Sequence, residues 1–317
     1  MSQPIRLFEY RDRREEYLAA SPPPSPPPMP GMVWIPGGDY LAGSDQFYPE
    51  ERPVRRVHVE GFWLDCTPVT NEAFAEFCRQ TGYRTTAERP LRYDNIDLPP
   101  HGLVFRRQKG PVSLDNAALW WRMVEGANWR APRGPNASRP SRFARHPVVQ
   151  VSYQDACAFA EWAGKSLPSE AQWEFAARSG LDGAVFAWGN RDKTEGREAL
   201  ANRWQGDFPY RNKHSGGYAY TTPVEHFAVN GYGLHDMIGN VWEWTSTSGS
   251  ESAASQNVRS CCGSRQVEGN HGSRVLKGGS HLCAPNYCFR YRPAARLTQD
   301  VDACTSHIGF RCVLTPG

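Results

Sequence analysis

The sequence predicts a single α+β domain with little regular secondary structure. Glycine and proline number 29 and 26 in a chain of 317 residues, so much of the backbone must lie in turns and loops. Helical periodicity is found in three short segments, and the other apolar runs have the length of strands. A hydrophobic content of 39% is sufficient for one sizeable core.

The compact domain is expected to follow a proline-rich tail. Residues 1–30 end in SPPPSPPPMP, which favours extended polyproline conformation, and we interpret them as a tail with a semi-rigid spacer. The next segment, MVWIPGGDYLAGS, predicts a hairpin around its Pro-Gly-Gly, and VRRVHVEGFWLDC at 54–66 predicts a further strand. The domain is therefore assigned to residues 31–317.

Three short helices are predicted from their end signals. Each begins at a residue that can cap it and ends near a glycine: Thr70 and Gly82, Ser152 and Gly164, Ser169 and Gly180. Asp155 and Gln172 lie three residues after the second and third caps, which is the spacing of a capping box. After the third helix we expect short strands and long loops, with a polar, mobile segment at 246–274.

Charge and hydropathy exclude several classes of protein. The net charge is only +3 and is spread along the chain, so nothing indicates a nucleic-acid partner. There is no run of about 18 apolar residues, and the N-terminus lacks the apolar centre of a signal peptide. We therefore expect a cytoplasmic protein with no membrane partner, and a monomer.

The cysteines are the strongest compositional signal. The chain has nine, an odd number, and six of them follow position 250: Cys261, Cys262, Cys283, Cys288, Cys304 and Cys312. In a reducing compartment such residues are buried thiols, metal ligands or catalytic thiols more often than a disulfide framework.

Cys283 and Cys288 stand five positions apart in GGSHLCAPNYCFRYRPAAR. Neither a helix nor a strand brings side chains at this spacing together, whereas a turn at Pro285 and Asn286 does. Three interpretations remain open from the residues alone. They are a zinc site completed by other cysteines or histidines, a disulfide or inert buried thiols, and a redox or metal-bound pair suited to Cu(I).

Two further stretches can carry function. In NGYGLHDMIGNVWEW, glycines allow a folded-back loop, and Asp236, Asn240 and Glu243 offer the hard oxygen ligands that Ca²⁺ prefers, although an ordinary tight turn explains the pattern too. In WWRMVEGANWRAPRGPN, aromatic and basic residues suit either a wall that binds a peptide or a buried loop scaffold.

Taken together, these stretches resemble the formylglycine-generating enzymes over roughly residues 31–314. The resemblance rests on PGGDYLAGS, PVTNEAFAEF, HPVVQVSYQDACAFAEWAGKSLPSEAQWEFAARSG, FAWGN, ANRWQGDFP, NGYGLHDMIGNVWEW, LKGGSHLCAPNYCFRYRPAAR and HIGFRC, in that order. It implies the fold of that family, a variant of the C-type-lectin fold.

The resemblance also implies an activity. Members of this family are copper-dependent oxidases that use O₂ and an external thiol reductant. They convert the cysteine of a CxPxR-type motif in an unfolded sulfatase to Cα-formylglycine. By position, Cys283 and Cys288 correspond to the catalytic Cu(I) ligands. Ser280 and Trp242 match further catalytic residues, and Trp120 and Tyr287 match substrate contacts.

The resemblance further implies Ca²⁺ at the glycine-rich loop. The matching ligands are the side chains of Asp236 and Glu243 with the carbonyls of Gly239 and Val241. A second calcium would use Asn202 and the Arg203 carbonyl, but Gly216 stands where relatives carry an acidic ligand. Alanines and a proline replace most of the cysteines that form disulfides in secretory members. Whether Cys157 pairs with Cys312 stays open.

Two alternatives belong to the same superfamily. One is a non-catalytic paralogue that acts as a binding module, and the other is an iron-dependent sulfoxide-synthase relative. The paired cysteines argue against the first, and the absence of an HxxxHxE motif argues against the second.

Overall fold

The structure, a computed structural model, describes Ala19 and residues 21–93, 96–139, 142–192, 199–213, 217–251 and 272–316. The expectations for Gly216, Cys261, Cys262 and most of the segments 1–30 and 246–274 lie outside the described residues. Within them the chain forms thirteen strands, three α-helices and five short 3₁₀ helices. This confirms the α+β prediction.

The regular elements are short and alternate with long loops. The strands are β1 (Met32–Ile35), β2 (Gly38–Ala42), β3 (Arg55–Val59), β4 (Phe62–Asp65), β5 (Leu91–Tyr93), β6 (Ile96–Leu98), β7 (His101–Phe105), β8 (Trp121–Glu125), β9 (Trp242–Ser248), β10 (Ser273–Lys277), β11 (Arg296–Asp300), β12 (Ile308–Gly309) and β13 (Val313–Leu314). The helices are α1 (Asn71–Thr81), α2 (Tyr153–Trp162) and α3 (Glu170–Arg178). The 3₁₀ helices are Pro49–Glu51, Thr86–Glu88, Ala117–Leu119, Phe143–Arg145 and Gly249–Glu251.

All three predicted helices form, with the predicted caps. The Thr70 side chain accepts a hydrogen bond from the Ala73 N–H of α1 at 3.3 Å. At α2 the Ser152 hydroxyl accepts from the Asp155 N–H at 3.1 Å, while the Asp155 carboxylate accepts from the Ser152 N–H at 2.9 Å. A similar reciprocal pair opens α3. These helices were predictable because a cap is a contact between residues three positions apart.

The predicted hairpin at 32–44 is wrong, and so is the single strand at 54–66. β1 pairs with β4 and β2 pairs with β3, so the first run lies antiparallel to the second. The pairing is interrupted where Pro36 and Gly37 face Glu60 and Gly61. Gly37 has a φ of 66°, and a Cβ there would lie only 2.6 Å from the Gly61 nitrogen, so this close approach requires glycine. The Pro-Gly-Gly therefore bends a strand instead of reversing the chain.

Two apolar regions position the site. The main core is built around an aromatic group of Phe74, Phe77, Trp129, Phe159 and Phe310. A smaller second cluster contains Phe105, Trp120, Trp121, Trp204, Phe208, Leu282 and Ala284. The candidate site lies between the second cluster and a four-stranded sheet of order β11-β10-β9-β12. No helix of the described residues is long and apolar enough to cross a membrane.

Candidate active site

The segment after β10 is a compact turn that brings two cysteines together. The Cys283 and Cys288 sulfur atoms lie 3.4 Å apart, and neither residue is in a disulfide. Between them the N–H groups of Tyr287 and Cys288 both donate to the Ala284 carbonyl, at 3.1 and 2.8 Å. Both cysteines are about 1% exposed. The predicted turn is therefore present, and it produces a buried pair of thiols.

Backbone contacts hold this turn in place. Gly279 has a φ of 72°, and a Cβ there would lie 2.9 Å from the Arg290 carbonyl oxygen, so only glycine lets the two arms of the turn approach. The Ser280 N–H points at the Cys283 sulfur at 3.3 Å, and the Cys283 N–H donates to the Ser280 carbonyl at 2.9 Å. The Ser280 hydroxyl accepts from the Leu282 N–H at 3.3 Å.

A small cavity is lined in part by both cysteines. Its volume is about 10 Å³, enough for one molecule of the size of water. The lining residues are mostly aromatic: Trp121, Phe208, Trp242, Ser280, Leu282, Cys283, Tyr287, Cys288 and His307. Burial holds the pKa of His307 well below its usual value, so this imidazole is neutral near pH 7. The cavity is therefore small, largely apolar and reached by two thiols.

The adjacent tryptophans of the second cluster, Trp120 and Trp121, occupy different positions relative to the cavity. Trp121 lines the cavity, whereas Trp120 lies behind it and packs edge-on against Tyr287 at 5.3 Å. Tyr287 in turn stacks on Phe208 at 4.6 Å. The sequence had indicated Trp120 and Tyr287 as substrate contacts, and this role stays a prediction. Trp242 and Ser280, the other predicted catalytic residues, line the cavity.

One charged contact beside the cysteines was not predicted. Arg290 is about 5% exposed and its Nη1 lies 3.9 Å from the Cys288 sulfur. Its other nitrogen atoms, Nε and Nη2, donate to Glu50 at 3.0 and 2.6 Å. The basic run after Cys288 was visible in the sequence. Its acidic partner was not, because Glu50 lies 240 positions away.

Among the described residues, the donor set of the cysteine turn fits Cu(I) and does not complete a zinc site. Two soft sulfur donors with few harder ligands suit a low-coordinate Cu(I) ion. A structural zinc ion requires four ligands. Among the described residues, no group of three or more His, Cys, Asp and Glu side chains is arranged to hold a metal. The described residues therefore contain no zinc site at Cys283 and Cys288. The two cysteines also form no disulfide with each other.

The glycine-rich loop buries two carboxylates near one arginine. Both oxygens of Asp236 are buried without a hydrogen bond from any described residue. Burial raises the pKa of Asp236 to about 7, and the Glu243 carboxylate adds to this rise while Arg311 opposes it. Glu243 Oε2 accepts from Arg311 Nε at 2.7 Å and from Trp173 at 2.8 Å, and its Oε1 accepts from Arg311 Nη2 at 2.8 Å.

This loop supplies some of the oxygen donors that a calcium ion would need. The orphaned oxygens of Asp236 are hard donors, and Glu243 Oε1 keeps a second lone pair. Gly239, whose carbonyl is a predicted ligand with that of Val241, has a φ of 80°. A Cβ there would lie 2.5 Å from the Asn202 carbonyl oxygen. At the predicted second calcium site, which would use Asn202 and the Arg203 carbonyl, the Asn202 amide donates to the Tyr220 carbonyl at 2.8 Å.

The other described cysteines form no disulfide. Cys157 and Cys312 both remain thiols, and burial raises the pKa of each above its usual value. Cys304 is also a buried thiol, whose Sγ contacts the Asp302 carbonyl at 3.6 Å. A raised pKa keeps a thiol protonated and unreactive. None of these three residues lines the cavity beside Cys283 and Cys288.

Comparison with known proteins places the chain in a family. Residues 18–316 match the sulfatase-modifying factor enzyme 1-like domain. The chain is 49% identical to a formylglycine-generating enzyme of Mycobacterium tuberculosis, covering 90% of this chain and 98% of that protein. It is 44% identical to a formylglycine-generating enzyme of Thermomonospora curvata, covering 90% and 94%. An inactive Cα-formylglycine-generating enzyme 2 of Bos taurus is 38% identical over 90% of this chain and 87% of its own length.

Solved structures agree on the fold. PvdO from Pseudomonas aeruginosa matches with a TM-score of 0.58 at 22% identity, covering 89% of this chain and 93% of its own. Treponema denticola variable protein 1 matches with a TM-score of 0.54 at 17% identity, covering 90% and 95%. At these identities the comparison establishes the architecture and says nothing about activity.

Proposed function

The chain belongs to the sulfatase-modifying factor family of formylglycine-generating enzymes, and from this premise we propose that it is a copper-dependent oxidase. Its substrate is a cysteine in a CxPxR-type segment of an unfolded sulfatase, which becomes Cα-formylglycine. The observation that carries the proposal is the buried pair of thiols, 3.4 Å apart, beside a small cavity. The family also includes proteins named as inactive, so membership of the family does not by itself distinguish an active enzyme from an inactive relative.

In this proposal Cys283 and Cys288 hold Cu(I) through their thiolates. Copper, when bound, supplies the one-electron chemistry that O₂ requires and that amino-acid side chains lack. The chain's own contribution is to hold both sulfur atoms close together on one turn. The substrate carbon loses one C–H bond and its C–S bond and gains a C=O bond, and the sulfur leaves as sulfide. O₂ is the oxidant: it takes up the two electrons that the carbon gives and two more from the external thiol, with release of one water and formation of a disulfide from the reductant.

The residues around the cavity exclude water and orient oxygen. Trp121, Phe208 and Tyr287 make the walls apolar, which limits competing hydrolysis and proton leakage. The Trp242 indole N–H is buried with no acceptor among the described residues, so it can donate to an oxygen atom in the cavity. Ser280 offers a hydroxyl at the same place. These contacts support catalytic roles for Trp242 and Ser280.

Calcium is a second, separate proposal. We place one Ca²⁺ at Asp236 and Glu243 with the carbonyls of Gly239 and Val241. The two orphaned oxygens of Asp236 support this, because a buried carboxylate without partners is stabilised by a cation. A second calcium at Asn202 and Arg203 has no comparable support in the described residues.

The test of the oxidase is a reconstitution assay. Metal-free protein is loaded anaerobically with Cu(I), then given O₂, a thiol reductant and a synthetic CxPxR peptide. We expect an aldehyde product, detected by mass spectrometry and by hydrazide capture, and no product from a peptide with serine in place of cysteine. A binding module would take up no stoichiometric Cu(I). An iron-dependent sulfoxide-synthase relative would contain iron after expression and would give no aldehyde with Cu(I).

A further inference from the structure

We propose that Arg290 is a positioning residue for the copper site, which orients the Cys288 sulfur and offsets the negative charge of the two thiolates. This inference rests on the proposed Cu(I) binding by Cys283 and Cys288. It starts from the contact of 3.9 Å between Arg290 Nη1 and the Cys288 sulfur. Guanidinium stays charged at all physiological pH values, and it is a donor only.

The position of Arg290 is determined by Glu50 and Tyr48. Glu50 accepts hydrogen bonds from Nε and Nη2 of the guanidinium, and Nη1 points at the Cys288 sulfur. The Tyr48 ring lies 3.8 Å from the guanidinium carbon, measured to the ring centroid, in cation–π geometry. Tyr48 is itself held by the Phe289 N–H, which donates to its hydroxyl at 2.9 Å. We call Tyr48, Glu50 and Arg290 the arginine clamp.

The guanidinium of Arg290 presents a positive charge to the Cys288 sulfur. Two thiolates 3.4 Å apart in a buried site repel each other and lose their hydration. A single bound Cu(I) leaves the set with a net negative charge, and a third thiolate from a substrate increases it. Arg290 is a fixed cation in contact with the Cys288 sulfur. Burial also raises the pKa of Tyr48, so that ring adds no charge of its own.

The chain contains a matched pair that lacks the contact with sulfur. Arg292 and Glu51 are the neighbours of the clamp on the same two segments, and each is no more than 2% exposed. Arg292 Nη1 donates to Glu51 at 2.8 Å, Nη2 donates to the other Glu51 oxygen, and Nε donates to the Phe289 carbonyl at 2.7 Å. All three nitrogen atoms of Arg292 thus donate to oxygen, whereas one nitrogen atom of Arg290 contacts the Cys288 sulfur.

The experiment compares two double variants. Arg290→Met with Glu50→Gln removes the clamp charges together, which avoids leaving one buried charge unpaired. Arg292→Met with Glu51→Gln removes the matched pair in the same way. Cu(I) affinity is measured anaerobically by competition with a chromophoric Cu(I) chelator, and the Cu(I)–thiolate ultraviolet absorption reports the ligand geometry.

We expect the clamp variant to bind Cu(I) about 10–100-fold more weakly than wild type, because loss of a group that supports a metal ligand typically has this effect. We expect the Arg292/Glu51 variant to keep the wild-type affinity within about threefold, although both variants lose stability in thermal melts. Equal affinities in the two folded variants would overturn the role of Arg290 and leave the proposed oxidase intact. Absence of Cu(I) binding by wild type would overturn both.

A single variant covers the case in which the double variant does not fold. Arg290→Lys keeps a cation opposite Glu50 but has no third arm to reach the sulfur. We expect a Cu(I) affinity between those of wild type and the clamp variant, with an altered ultraviolet spectrum. A wild-type affinity and spectrum for Arg290→Lys would show that the contact of Nη1 with Cys288 has no role.

Discussion

The cysteine turn and the Asp236–Glu243 loop are both buried, both carry two potential metal ligands and both lie near one arginine. They differ in what burial costs. Protonated thiols are weakly polar and can stand 3.4 Å apart in an apolar setting. Carboxylates lose strong hydration, so Glu243 is bound to Arg311, and Asp236 has its pKa raised to about 7.

Because of this difference, the cysteine turn matters mainly for function and the Asp236–Glu243 loop mainly for stability. The thiol pair is neutral until it ionises, so it can be held ready for a metal at little cost to the fold. The carboxylate pair must be neutralised by a guanidinium, a proton or a cation for the fold to be stable at all. We therefore expect substitutions in the turn to affect activity first, and substitutions in the loop to affect folding first.

The largest expected effect is at the cysteines. Replacing either Cys283 or Cys288 by serine should lower turnover of the CxPxR peptide by about 10³-fold or more, since a hydroxyl is a poor ligand for Cu(I). The melting temperature should change by only a few degrees. Cys304→Ser, which alters a buried thiol outside the site, is the control and should retain turnover. A Cys288→Ser variant with more than about a tenth of wild-type activity would contradict the assignment.

The next effect is on stability at the loop. Glu243→Gln removes the partner of the fully buried Arg311, and we expect a loss of about 3–5 kcal/mol in the free energy of unfolding, measured in urea. The exposed pair of Glu225 and Arg145 offers a control, because Glu225→Gln should cost less than about 1 kcal/mol. Equal losses of stability in the two variants would contradict the expectation that burial makes the Glu243–Arg311 pair the more important one for folding.

A pH dependence follows from Asp236. Its pKa in the folded protein, about 7, is above its ordinary value of 3.8, so the folded state binds more protons than the unfolded state between these values. Stability of the calcium-free protein should therefore fall as pH rises from about 4 to about 7, by on the order of 3 kcal/mol relative to Asp236→Asn. Urea titrations in EDTA measure this difference. Added Ca²⁺ should reduce it at pH 7, and no difference between the proteins at any pH would contradict the prediction.

The smallest expected effect on stability and on Cu(I) binding concerns Ser280. Ser280→Ala removes the hydroxyl that accepts from the Leu282 N–H, and we expect a loss of about 1 kcal/mol in thermal melts. Cu(I) affinity should stay within about threefold, because the Ser280 backbone N–H that faces Cys283 is retained. A larger fall in affinity would mean that the hydroxyl, and not the backbone, arranges the thiols.

Local patterns account for what could be predicted. The caps at Thr70, Ser152 and Ser169 join residues three positions apart, and the turn between Cys283 and Cys288 spans five. The hairpin prediction failed because it assumed that adjacent runs pair with each other. The partner of β1 is instead β4, in a run that begins about twenty residues further along the chain.

By itself the sequence determined the α+β class, the three helices and the cysteine turn, because each depends on interactions among near neighbours. Only the tertiary structure decided that Glu50 pairs with Arg290 beside Cys288 and that Arg311 pairs with Glu243. It also decided that Trp121 lines the cavity while Trp120 packs behind it. Such contacts join residues up to 240 positions apart. Burial then gives them their strength, since charges interact strongly only where water is excluded.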